Sequence, residues 1–207
     1  MSVRYPVLLF LFLALVFSCR QSRLVEKKNE SGVVIERYEV QQQDTAEIRS
    51  GLYERFDDRG RLLESSQYED GKLNGVRKLY LEGVLQSEET RVLDQYHGPY
   101  KAYHPNGQLQ LEAQYVHDVM TGEVKVYYAS GKIKEIVHFE DNAENGPFVE
   151  FYENGARKAE GHYKQSDGPV EDGELKLYDS TGTLEKIMNC QLGKCFTTWT
   201  KDSTGIR

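Results

Sequence analysis

Apolar and polar residues alternate along this chain in short runs, and the runs recur at a near-constant interval. Aligned on Gly51, Gly75, Gly98, Gly122, Gly146 and Gly173, successive units lie 24, 23, 24, 24 and 27 residues apart. Apolar side chains stand two and four residues after the glycine in the clearest units: Tyr100 and Ala102, Val124 and Val126, Leu175 and Leu177. Period-two alternation of β-branched and aromatic residues predicts a strand. An aromatic follows five residues after each glycine: Phe56, Tyr80, Tyr103, Tyr127, Phe151 and Tyr178. A second glycine closes each block, at 60, 83, 107, 131, 155 and 182. An aliphatic comes two residues later in Leu62, Leu85, Leu109, Ile133 and Leu184, with Arg157 the exception. Eight residues past the second glycine an aromatic returns in four units: Tyr68, Tyr115, Phe139 and Tyr163.

Each unit reads as a β-hairpin. The connections DDRG, HPNG, ASG, ENG and STG supply the positive φ that tight turns require. Pro99 and Pro147 follow the opening glycine, where the first residue of a strand tolerates a missing N–H. Consecutive hairpins predict an all-β fold, an elongated single-layer antiparallel meander occupying residues 31–207. Within it, full units start at 51, 75, 98, 122, 146 and 173. A half-repeat at 30–40 and another at 193–205 would cap the array, as terminal repeats do. The aromatics of the fifth position point to the opposite face from the alternating apolar residues. They serve either as a structural ladder across a thin sheet or as an open face that docks a partner.

The first residues do not share this pattern. Arg4 precedes an uncharged apolar run from Val7 to Phe17. The run has the length of a signal-peptide core and falls short of a comfortable membrane span. Ser18 then stands directly before Cys19, which resembles the processing site of bacterial lipoproteins. That resemblance implies a signal peptide at 1–18, an acyl (palmitate-type) anchor on Cys19, and a polar tether over 19–30. It places the chain outside the cytoplasm, lipid-anchored to a cell envelope at the outer membrane or periplasmic face.

A glycine, an aromatic five residues on, an Asn-Gly type turn and a period near 24 together resemble the bacterial variant of the MORN repeat. GPYKAYHPNGQLQLEAQY and GEVKVYYASGKIKEIVHF are the closest copies. The resemblance implies a repeat scaffold without catalytic residues. Some members carry an antitoxin-like label, which makes binding of a cognate toxin an alternative function. A glycan-binding or enzymatic role for the aromatic face is a third.

Charge narrows the partners. The 207-residue chain carries 26 Lys and Arg against 33 Asp and Glu, a net of −7. Nucleic-acid binding needs basic surface, so none is expected, and the membrane link rests on the lipid. The expected partner is an unidentified protein, and open sheet edges permit oligomers. Neither an enzyme nor a cofactor is expected. The five histidines, at 97, 104, 117, 138 and 162, form no local metal motif, so no metal site is expected. Cys190 and Cys195 remain as a pair for a disulfide in an oxidising compartment, if Leu192 and Gly193 form a turn. A redox-active pair or reduced thiols are the alternatives. KQSDGPVEDG at 164–173 is the one long insertion. It reads as a solvated acidic loop, with calcium binding by Asp167, Glu171 and Asp172 as the other reading.

Overall fold

The structure is a computed structural model that describes residues 22–201, nearly all of them in strands or the turns between them. The first nine strands are β1 (Ser22–Lys28), β2 (Val34–Gln43), β3 (Ala46–Phe56), β4 (Leu62–Glu69), β5 (Lys72–Leu73), β6 (Gly75–Leu81), β7 (Val84–Val92), β8 (Gln95–Tyr103) and β9 (Leu109–Val116). The second nine are β10 (Val119–Met120), β11 (Gly122–Tyr127), β12 (Ile133–Glu140), β13 (Ala143–Phe151), β14 (Arg157–Gln165), β15 (Pro169–Glu171), β16 (Gly173–Tyr178), β17 (Leu184–Gln191) and β18 (Lys194–Thr200). They form one open antiparallel sheet in which hairpin follows hairpin, the single-layer meander expected from the repeat. The short β5, β10 and β15 are the outer ends of β6, β11 and β16, set off by single residues at 74, 121 and 172.

Three local expectations change. Residues 22–28, read as tether, form β1 and pair with β2 from Ser22 opposite Gln41 to Lys28 opposite Val34. The backbone ladder with β2 holds this strand, and its side chains add exposed ion pairs rather than an apolar row. Lys27 Nζ lies 2.8 Å from Glu36, Arg37 Nε 3.1 Å from Glu26, and Arg23 2.6 Å from Glu47. A charged edge strand also resists pairing with other chains. The insertion at 164–173 is a strand pair, with Tyr163 to Gln165 of β14 opposite β15. Its carboxylates are separated in role: Asp172 Oδ1 accepts the Leu192 amide at 3.2 Å, while Glu171 lies opposite Tyr163. Finally, Pro99 and Pro147 lie inside β8 and β13, not at their starts. Each sits where its own strand carries extra residues against the preceding one, Tyr96 to Tyr100 facing Glu89 to Arg91 and Glu144 to Phe148 facing Val137 to Phe139, so the missing N–H falls where that ladder is already interrupted.

The glycine–aromatic period has a direct cause. Gly51, Gly98, Gly122 and Gly146 lie directly opposite Tyr68, Tyr115, Phe139 and Tyr163. In the two units without that aromatic, Arg91 stands opposite Gly75 and Cys190 opposite Gly173. All six opening glycines have positive φ, from +80° to +132°, which a residue with a side chain rarely adopts. At Gly146 φ is +132°, and an added Cβ would come 2.9 Å from His138 Cβ.

Turns on both long margins peg each unit to the next. On one margin, the amides of Asp94, Asp118 and Asn142 donate to the carbonyls of Leu73, Tyr96 and Met120. The same three side chains accept the amides of those three residues, at 2.7–2.8 Å. On the other margin, Tyr128 Oη donates to Phe151 O at 2.8 Å and Tyr152 Oη to Tyr178 O at 2.9 Å, with His104 Nε2 2.9 Å from Tyr127 O.

Gly146→Ala is expected to destabilise the protein by about 1–3 kcal/mol, the usual cost of forcing a side chain into a sparsely populated backbone region. Urea unfolding monitored by circular dichroism measures it. Gly168→Ala, at a position with open space and no positive φ, serves as the comparison and should stay near wild type.

Candidate functional site

The two faces of the sheet differ in kind. One buries a continuous row of side chains. Reading across the strands, Tyr100 pairs with Ala113, Val124 with Val137, Val137 with Phe148, Phe148 with Gly161, and Leu175 with Met188. Val124, Val137 and Phe148 are 1–3% exposed. A single layer achieves this because flanking rows of larger residues, including Tyr115, Phe139, Tyr163 and Leu177, pack over the central one. Gly161 is small for the same reason: a Cβ there would come 3.0 Å from the Phe148 ring.

Towards the N-terminal half this face changes from apolar to ionic. Glu64 and Glu89 are buried, and Ser66 and Ser87 lie beside them. Arg77 bridges the two carboxylates, donating to Glu64 at 2.7 Å and to Glu89 at 3.2 Å. Ser66 Oγ adds a bond to Glu64 at 2.9 Å, Arg55 Nε lies 3.4 Å from it, and Arg91 Nε donates to Glu89 at 2.9 Å. Arg91 also covers the Tyr96 ring, 3.3 Å from its centroid. Burial works to raise the Glu64 carboxyl, but bonds from Arg77 and Ser66 and the nearby arginine charges hold it below the usual range. Burial, with Glu89 beside it, pushes the Tyr96 hydroxyl up to about 12.

The opposite face is open and charged. Glu112 lies opposite both Lys101 and Lys125, and Glu160 opposite Lys176. Tyr127 Oη donates to Glu112 at 2.7 Å and Tyr178 Oη to Glu160 at 2.8 Å, which puts the fifth-position aromatics on this side. All six, Phe56, Tyr80, Tyr103, Tyr127, Phe151 and Tyr178, are half-buried. Among the described residues no ring contact joins two of them, so the ladder of rings is corrected. What repeats at this position is a backbone carbonyl that accepts from the preceding unit. Ring contacts form on the buried face instead: Phe148 stacks on Tyr163 at 4.1 Å, Tyr96 on Tyr115 at 4.9 Å, and Tyr53 meets Tyr68 at 5.7 Å. Arg49 stands over Tyr38, Tyr53 and Tyr68 at 4.7–5.5 Å.

The remaining candidates occupy separate places. Cys190 and Cys195 are cross-strand partners in β17 and β18, joined by an S–S bond. Leu192 and Gly193, with φ of +47° and +78°, form the turn between them. Cys19 lies outside the described residues. His97 and His117, 20 positions apart in the chain, bring their rings to 4.8 Å. Among the described residues, no group of three or more His, Cys, Asp or Glu side chains could hold a metal ion. The pegging residues at 104, 128 and 152 escaped sequence reasoning. Their signal was a hydrogen-bonding ring directly after the fifth-position aromatic in consecutive units.

Three stretches of the chain, 96–117, 120–141 and 144–165, match the MORN repeat variant. No curated protein matches the chain. The matched segments hold Tyr100, Ala113, Val124, Val137, Phe148 and Ala159, most of the apolar part of the buried face, which continues to Leu175 and Cys190. The ionic part, with Glu64, Arg77, Glu89 and Arg91, precedes them. The matched pattern is thus the one that fills the sheet with hydrocarbon.

The acidic side chains of this face separate by environment. Glu135 lies opposite Glu150 across β12 and β13. Burial first, then the charges of Glu144 and Glu150, holds the Glu135 carboxyl above its usual range. A carboxyl lowered in the folded state contributes stability above the unfolded value and loses it as pH falls through the folded value. A carboxyl raised in the folded state penalises folding at neutral pH, and acidification through its raised value relieves that penalty. Glu64→Gln is therefore expected to cost about 2–3 kcal/mol at neutral pH, the scale for hydrogen bonds to charged groups. Glu135→Gln is expected to stabilise. Both differences from wild type should shrink in acid, as read by urea unfolding at neutral and acidic pH.

Proposed function

We propose that this protein is a protein-binding or scaffolding repeat module rather than an enzyme, held at a bacterial cell envelope by a lipid on Cys19. The observation that carries the reading is the unbroken sheet itself. It presents two long faces of different chemistry, and its best-patterned units match a repeat generally found in protein- and membrane-binding modules.

The anchor rests on the apolar run that ends in Ser18-Cys19. The array begins sooner than the polar segment after Cys19 suggested. Between Cys19 and Ser22 a chain can reach at most about 10 Å, at 3.3–3.6 Å per residue. An acylated Cys19 therefore holds β1 close to the headgroups, and the strands stack away from it. A multiply acylated cysteine binds a membrane stably where one chain is marginal.

Membrane fractionation with intact-mass analysis tests the anchor. Wild type is expected in the membrane fraction with acyl mass on Cys19, and Cys19→Ala is expected in the soluble fraction. Unmodified wild type in the cytosol would remove the envelope from the proposal. Crosslinking at the membrane then tests the scaffold: a co-purifying envelope protein supports it, and none across repeated captures counts against it.

A further inference from the structure

The C-terminal half of the buried face carries an imbalance that the N-terminal half lacks. In the N-terminal half each buried carboxylate is compensated: Glu64 faces Arg55 and Arg77, and Glu89 faces Arg77 and Arg91. Further along, Glu135 and Glu150 are opposed across adjacent strands, Glu144 stands opposite Phe139, and Glu171 opposite Tyr163. Like charges directly across a strand pair are destabilising. Lys158 binds Glu150 at 2.6 Å, and Lys134 lies near Glu135. Among the described residues, neither Glu135 nor Glu144 has an ion pair within the chain. All four carboxylates act on Tyr163, whose hydroxyl is raised by burial and then by them.

Glu150 and Glu171 line a concavity together with Tyr163, the ring on which Glu135 and Glu144 also act. Phe148, Ala159 and Leu177 supply its apolar lining, and Lys158, paired with Glu150 at 2.6 Å, is its one cation. Phe148 and Tyr163 are stacked, which presents an aromatic edge and face beside negative charge. Carboxylates beside aromatic rings suit a cation carried on an apolar stem, the form of a lysine or arginine side chain.

We propose that this concavity docks a segment of a partner protein that alternates apolar and basic side chains. A basic residue would enter between Glu135, Glu144 and Glu150 while its apolar neighbours cover Tyr163 and Leu177. The proposal rests on the reading of the array as a protein-binding surface, and it does not depend on the lipid. The cation supplied by the partner does here what Arg77 does internally in the other half.

The test titrates purified full-length protein with a synthetic peptide of repeating Leu-Ser-Arg-Ser units. In an extended conformation that peptide carries Leu and Arg on one face. Binding is read by calorimetry against a Ser-for-Leu version that keeps only the cations. The groove variant is Glu135→Gln/Glu144→Gln. The control is Glu123→Gln/Glu174→Gln, which removes the same charge from the opposite face. We expect the peptide to bind wild type and the control alike, to bind the groove variant ~10-fold or more weakly, and to outperform its Ser version. Equal loss in both variants would reduce the effect to general electrostatics and overturn the proposal. Equal binding of the Ser version would remove the apolar floor from it, with the same result. Absence of peptide binding, with self-association on sedimentation that the groove variant abolishes, would give the face to a second copy and overturn it too. Cys19→Ala is expected to bind the peptide as wild type does, so failure of the anchor and failure of the groove are read separately.

Discussion

A sheet one layer thick has nothing to pack against, and rows of large side chains closing over a buried central row are what let this one stand. Tyr68, Tyr115, Phe139 and Tyr163 lie over Gly51, Gly98, Gly122 and Gly146. Each of these glycines holds positive φ, +80° to +132°, at the start of its strand's pairing with the ring-bearing one. The rings then flank Val124, Val137 and Phe148, which reach the burial of an ordinary protein interior without a second layer. Replacing the glycine strains the backbone.

The central row is filled in two ways. From Ala113 to Cys190 it is hydrocarbon. From Arg55 to Arg91 it is a chain of alternating charges whose members are bridged in sequence. The second solution is more demanding, because an ion removed from water needs its partner in good geometry. It also fixes register strongly. Arg77 reaches Glu64 on one side and Glu89 on the other only when β4, β6 and β7 pair as they do.

Much of this was legible in the sequence because it is periodic. The hairpin, the turn glycines and the alternation from Tyr100 to Leu177 arise from local spacing, and local spacing is what a strand obeys. The face assigned to the fifth-position aromatics was also legible, since it depends only on parity. Their role was not. Whether rings one unit apart touch depends on the stagger between strands, and the bulges beside Tyr103, Tyr127 and Tyr178 alter that stagger. The strand at 22–28 was hidden because its side chains make ion pairs rather than an apolar row and its partners lie on another strand. The charged network was hidden for the opposite reason: Glu64, Arg77 and Glu89 occupy positions where the pattern calls for hydrocarbon, so each looks like a lapse until all are seen together.

The turn pegs carry a consequence for how such a chain can change length. The Asp118 side chain and amide complete the bonding of Tyr96, and those of Asn142 complete the bonding of Met120. Each unit thus finishes its predecessor, leaving an unanswered amide and carbonyl for its successor. Cutting out part of a unit strands one of those groups, and an odd-numbered cut within a strand also turns its later side chains to the other face. Removing or duplicating an entire unit keeps the peg pattern, because Asp94, Asp118 and Asn142 make the same two bonds in successive units. Growth of the array is therefore quantised, and its natural step is one hairpin of about two dozen residues.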